Sequence, residues 1–113
     1  MKKYTEKRPW GKFEQFTHNE VSTVKILTVK PRKRLSLQYH KNRKEFWRVL
    51  EGNGKVTIGN KIFKAKPGNE FTINKKQKHR IEGGSKELKI LEISFGKFDE
   101  NDNVRLEDDY GRV

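Results

Sequence analysis

The residues able to do chemistry crowd into one stretch, Gln38 to Gly52, which reads Gln-Tyr-His-Lys-Asn-Arg-Lys-Glu-Phe-Trp-Arg-Val-Leu-Glu-Gly. Gln38 and His40 lie two apart, so on a strand they point to one face and can aim side by side. Glu45 follows on a second strand-like run, where Glu45, Trp47 and Val49 share a face by the same rule. An amide oxygen, an imidazole and a carboxylate form a mixed nitrogen and oxygen donor set suited to a first-row divalent metal. A fourth donor has few sources, because the chain has only three histidines. His18 sits in a turn-like His-Asn-Glu. His79 precedes the short run Arg80-Ile81-Glu82, and we expect it to complete the set. Taken singly, Gln38 reads as a surface amide and His40 as a satisfied or exposed imidazole. Their joint spacing with Glu45 and His79 is what points to a metal.

Short strands must position these groups. Phe13 to Thr17 is a strand candidate, and Ser22 to Val29 alternates with strong β propensity until Pro31 ends it. Leu35 and Leu37 alternate with Ser36 and Gln38, as in a barrel wall with one apolar and one polar face. Phe46 to Leu50 stops at Glu51-Gly52. Lys55 to Ile58 and Lys61 to Ala65 flank Gly59-Asn60, a two-residue hairpin signal. Pro67-Gly68 marks a turn before Glu70 to Ile73. Leu88 to Phe95 is the last clear strand. About eight short strands with nearly no helix predict an all-β sandwich, jelly roll or closed barrel.

Length sets the scale: 113 residues fit one domain, 1–113, with an irregular arm over 1–12 and a polar tail over 97–113 that folds back. Trp10 anchors the arm, and Trp47 packs the barrel. There is no cysteine, which excludes disulfides, thiolate metal sites and a cysteine nucleophile. No apolar run approaches a membrane span, and no apolar segment follows the basic N-terminus, so a cytoplasmic address is expected with no membrane partner. The net charge of +12 suits an anionic ligand. Its lysines are spread along the chain and match no nucleic-acid-binding pattern, so no nucleic-acid partner is expected.

Gln38-x-His40-x4-Glu45-x6-Gly52, followed by Gly68 and His79, resembles the two motifs of the cupin family, with Gln38 where cupins usually carry a first histidine. A narrower set resembles type II mannose-6-phosphate isomerases: Arg8-Pro9-Trp10-Gly11, Ser36-Leu37-Gln38-x-His40-x2-Arg43-x-Glu45-x-Trp47, His79-Arg80-Ile81 and Asp108-Asp109-Tyr110-Gly111-Arg112. Such domains often form the C-terminal half of bifunctional enzymes with a mannose-1-phosphate guanylyltransferase in front. The chain carries Asn74 and Lys76 where these relatives usually have a Pro and a Gly. The resemblance implies a single cupin domain, a double-stranded β-helix or jelly-roll barrel. It implies Gln38, His40, Glu45 and His79 as metal ligands. Zinc is the implied ion, and manganese, iron, cobalt or nickel would accept the same donors. A sugar-phosphate substrate and a homodimer are implied too.

The reaction expected on this basis interconverts mannose 6-phosphate and fructose 6-phosphate through an enediolate. A divalent ion chelating O1 and O2 stabilises the developing oxyanion. Two neutral imidazoles, a neutral amide and one carboxylate leave the site with a net positive charge that favours the enediolate. Arg43 and Arg112 are the catalytic candidates. A guanidinium stays protonated, so Arg43 serves the oxyanion and not as a base, and the proton carrier is unassigned. Arg8, Arg105 and Tyr110 are candidates for binding substrate, with Arg8, Arg105 and Arg112 suited to the phosphate. The alternatives are another cupin enzyme acting on sugar phosphates or sugar nucleotides, a metal oxygenase, or a non-catalytic sugar- or metal-binding module.

Overall fold

A computed structural model describes residues 3–113. Among the described residues eleven strands carry the structure. The hairpin β1 (Tyr4–Arg8) and β2 (Gly11–Gln15) forms a sheet of its own. The strands β3 (Ser22–Val29), β5 (Glu45–Glu51), β8 (Glu70–Ile73) and β10 (Leu88–Phe95) form a four-stranded sheet in the order β3-β10-β5-β8. The third sheet has the order β11-β4-β9-β6-β7. Its strands are β4 (Leu37–Tyr39), β6 (Gly54–Ile58), β7 (Lys61–Ala65), β9 (His79–Gly83) and β11 (Val104–Glu107). Every strand pairing is antiparallel.

The core lies between the two larger sheets. Val29, Trp47, Val49, Ile73, Leu88 and Ile90 come from the four-stranded sheet, and Val56, Ala65 and Ile81 from the five-stranded one. Strand alternation produces this: each strand sends every second side chain to the shared interior, where apolar area leaves water. Two glycines shape the strand ends. Gly59 has φ +61 in the two-residue loop that pairs Ile58 with Lys61, the positive φ that such hairpins require. Gly52 has φ +84, and a Cβ there would stand 1.8 Å from the Glu87 carbonyl oxygen. Only glycine lets the chain leave β5 past that carbonyl.

Two expectations about the N-terminal stretch change. The stretch 1–12, read as an irregular arm, holds β1 and the turn into β2, with Tyr4 paired to Gln15 and Arg8 to Gly11. Its first two residues lie outside the described residues. Trp10 does not anchor it: at the hairpin turn the ring is 73% exposed. The polar tail 97–113 contains β11, which pairs with β4 and closes one edge of the five-stranded sheet. Among the described residues no helix is long and apolar enough to cross a membrane.

Candidate metal centre

Strand register brings the sequence-predicted donors together. Arg105, Gln38 and His79 stand opposite one another across β11, β4 and β9. Directly opposed residues of antiparallel strands project to the same face. From the facing sheet, β5 supplies Glu45, with Ser94 of β10 opposite it. His40 follows the end of β4. The donor atoms of His40, Glu45 and His79 all lie within 4.8 Å of one another, and all three residues are buried.

The hydrogen bonds leave metal-binding lone pairs pointing inward. His40 Nδ1 donates to the Asp102 carbonyl at 2.7 Å, and His79 Nδ1 donates to the Gln77 carbonyl at 2.9 Å. A carbonyl only accepts, so each ring carries its proton on Nδ1 and offers Nε2 as a lone pair. His40 Nε2 is 3.7 Å from Glu45 Oε2, and His79 Nε2 is 3.9 Å from Glu45 Oε1. His79 Nε2 is buried with no hydrogen-bond partner. A buried, unpartnered acceptor facing a carboxylate is costly unless a cation sits between them. Burial lowers the pKa of both histidines, which keeps them neutral, as metal ligation requires.

Arg43 is tied to both halves of this cluster. Its Nε donates to Glu45 Oε2 at 2.9 Å, and Nη2 donates to His40 Nε2 at 3.1 Å. The guanidinium lies over the Phe98 ring, 4.5 Å from its centroid. An ion taking the His40 lone pair would free Nη2 for a ligand while Nε stays on Glu45. Trp47 packs the core as expected and also makes a polar contact. Its Nε1 donates to Glu45 Oε1 at 3.2 Å, and the indole meets the His79 ring edge-on at 5.4 Å. The Ser94 hydroxyl donates to Glu45 Oε2 at 3.2 Å. These donors orient the carboxylate. Gln38 stands opposite His79 in the sheet, and its Oε1 accepts the Ser36 hydroxyl at 3.1 Å.

The centre opens on a polar cavity of about 310 Å³, lined among others by Gln38, Arg43, Glu92, Arg105 and Arg112. Arg105 Nε is buried there without a partner. Arg112 is held at the rim by Asp108, 2.7 Å from its Nε. Tyr110 is 57% exposed and lies outside this cavity. Arg8 is not brought to it: its guanidinium pairs with Glu6 on the β1–β2 hairpin and lies near the Phe13 ring. His18 is exposed and hydrogen-bonded to Asn19.

Sequence reading missed Glu92, Ser94 and Asp102. Glu92 is 8% exposed, and its pKa is raised to about 7, first by burial and then by the charge of Glu45. A signal for it existed: Leu88, Ile90, Glu92 and Ser94 lie two apart on β10, so an apolar face turns polar at its end. Asp102 binds His40 through its backbone carbonyl, which no side-chain motif reveals. Its carboxylate accepts the Lys41 and Asn42 amides at 2.8 and 3.0 Å, fixing the loop after His40.

Comparison with known proteins agrees with this geometry. The family described as mannose-6-phosphate isomerase C-terminal matches residues 1–108. The mannose-1-phosphate guanylyltransferase ManC of Salmonella typhimurium is 38% identical over 94% of this chain, which spans 22% of that protein. The alginate biosynthesis protein AlgA of Pseudomonas aeruginosa is 39% identical over the same shares, 94% and 22%. The chain thus spans about a fifth of the length of the curated relatives it matches. Among solved structures, an oxalate decarboxylase from Bacillus subtilis superposes with a TM-score of 0.71 at 22% identity, covering 78% of this chain and 25% of that one. A cupin protein from Bacteroides fragilis gives 0.61 at 22% identity, covering 69% and 70%. At that identity the two structures share the cupin fold. The sequence relatives correct the main functional expectation: they are named for guanylyl transfer and polysaccharide biosynthesis, not for converting mannose 6-phosphate to fructose 6-phosphate. On sequence and fold together, the chain belongs to the mannose-6-phosphate isomerase C-terminal family and is an all-β cupin.

Proposed function

We propose that the protein is a metal-dependent cupin acting on sugar phosphates or sugar nucleotides, in the service of sugar-nucleotide synthesis. This reading replaces the interconversion of mannose 6-phosphate and fructose 6-phosphate. The relatives named mannose-1-phosphate guanylyltransferase, at 36 to 38% identity, favour it. The observation that carries the reading is the buried His40, Glu45 and His79 cluster, joined through Arg43 to a cavity that Arg105 and Arg112 also line.

His40, Glu45 and His79 would hold the ion, with Gln38 beside them as the neutral fourth donor. Zinc is the ion we propose, because it takes imidazole nitrogen and carboxylate oxygen donors and can expand to five-coordination to accept a substrate oxygen. When bound, the ion would act as a Lewis acid on a sugar oxygen. The chain's own groups do the rest. Arg43 holds Glu45 in place and presents its remaining N–H groups to the ligand. Arg105 offers an unpaired N–H where a phosphate oxygen can accept it. Glu92, whose carboxyl burial pushes up from the ordinary range, lines the same cavity and can donate or accept at a sugar hydroxyl. A homodimer belongs to this proposal; the edge strand β3 leaves Val24 and Ile26 57% and 60% exposed, which supports it.

The test loads the purified protein with zinc and, separately, with manganese and cobalt. Metal content and calorimetric binding of mannose 1-phosphate and mannose 6-phosphate are then compared with a His40→Ala/His79→Ala variant. We expect about one ion per chain and sugar-phosphate binding that depends on it, both lost in the variant. Absence of metal, or binding that ignores it, would overturn the reading. Turnover of mannose 6-phosphate to fructose 6-phosphate above the variant would return the isomerase to first place.

A further inference from the structure

We infer that the natural ligand is a nucleoside diphosphate sugar, lying across two joined cavities with its sugar inside and its base on Tyr110. The inference rests on the function proposed above and specifies its ligand. The inner cavity is the polar one beside the metal centre, with Gln38, Arg43, Glu92 and Arg105 on its walls. A second cavity of about 370 Å³ lies against it. Val29, Leu35 and Tyr110 give that outer cavity an apolar surface, and Lys30, Lys33 and Arg34 surround it with cations. Leu35 and Arg112 line both cavities, so the Arg112 side chain stands at their junction.

The chemistry divides along the same line. Hydroxyls suit the inner walls, where amide, carboxyl and guanidinium groups alternate. An anionic linker suits the junction at Arg112. A flat ring suits Tyr110, since every base has a π-face and stacking on an aromatic side chain is tolerant of base identity. A bare hexose phosphate would fill the inner cavity and leave this outer surface unused. Two of the outer cations are already committed: Arg34 forms a two-point pair with Asp109 at 2.7 and 2.9 Å, and Arg112 pairs with Asp108. Among the described residues Lys30 and Lys33 have no ion pair within 4 Å, which leaves their charge for phosphate oxygens. The loop bearing Tyr110 is set in advance. Asp108 accepts the backbone amides of Tyr110 and Arg112 at 3.3 and 2.8 Å, and Asp109 is clasped by Arg34. A preordered loop lowers the entropic cost of binding.

Calorimetric titrations of the zinc-loaded protein with mannose 1-phosphate and with GDP-mannose test this. GDP-mannose should bind at least about fivefold more tightly, the lower bound of the stacking contribution of one base. Tyr110→Ala should remove that advantage while mannose 1-phosphate binds as before, and Tyr110→Phe should keep it. Lys33→Glu should weaken GDP-mannose more than mannose 1-phosphate. Equal affinity for the two ligands in the unaltered protein, or a Tyr110→Ala loss shared equally by both, overturns the inference and leaves the sugar-phosphate reading standing. Binding of neither ligand overturns both.

Discussion

Burial holds the Glu92 carboxyl at about 7, against 4.5 in an exposed chain, and the consequence for stability has a definite sign. Between those values the folded protein binds a proton that the unfolded chain has released. Stability therefore falls as pH rises through this window. Glu92→Gln keeps the shape without the charge. In the metal-free protein it should be nearly neutral at pH 4 and stabilising at pH 8 by up to about 3 kcal/mol. Urea denaturation at both pH values measures it, and an equal effect at the two would contradict the burial argument. The histidines run the other way. Burial lowers their pKa, so acid favours the unfolded chain, which binds the protons. In a metal-free Glu92→Gln background, stability should fall as pH drops through about 6.5, the ordinary imidazole value, and His79→Gln should soften the fall. At this scale the sequence was informative where a residue type and a spacing coincide, as with His40, Glu45 and His79. Ser94 lacked a motif, and Asp102 acts on His40 through a backbone carbonyl that any residue could supply.

Strands with alternating apolar residues were legible in the chain, and several match at both ends. Ser22–Val29, Glu70–Ile73 and Leu88–Phe95 are examples, because burial of one face enforces their period, while Lys61–Ala65 was bracketed by its hairpin turn. Tyr4–Arg8 escaped notice since Lys7, Glu6 and Arg8 carry little β propensity, and its partner β2 alone makes it a strand. Val104–Glu107 alternates correctly, but Asp and Asn on both sides make the segment read as a solvated tail. The loop before His79 shows what composition conceals. Lys76 has φ +64 and donates its backbone N–H to the His40 carbonyl at 2.7 Å. A lysine in that conformation is strained, so Lys76→Gly should stabilise by roughly 0.5 to 1 kcal/mol after glycine's own entropic cost. Gly52→Ala should do the reverse. Its Cβ would overlap the Glu87 carbonyl at an unfavourable φ, and a loss of about 3 kcal/mol or more is expected. Denaturant midpoints decide both, and a gain in Gly52→Ala would mean that the β5 exit does not pass Glu87 as described.

Across the whole molecule the candidate metal centre draws its donors from separate parts of the fold. Glu45 belongs to the four-stranded sheet, whereas His79 and the Gln38 row belong to the five-stranded one, and His40 is fastened to the tail through Asp102. One ion on these donors would therefore link both sheets and the C-terminal segment. The unfolded chain scatters the same donors and binds the ion weakly, so ligation adds directly to folding stability. With free metal at a hundred times its dissociation constant the gain is about 2.7 kcal/mol, and in a chain of this size that raises Tm by roughly 10 °C. The rise should disappear in His40→Ala/His79→Ala and should shrink as pH falls below the ordinary imidazole value of about 6.5, where protons compete for Nε2. Hydrogen exchange separates this staple from general ion effects. Added zinc should slow amides in β4, β5 and β9 together, along with those of β11, while leaving the β1–β2 hairpin unchanged, since that hairpin contributes no donor to the centre. Protection spread evenly over the hairpin and both sheets would instead indicate ions bound diffusely over the surface, and the linkage of sheets through one centre would be refuted.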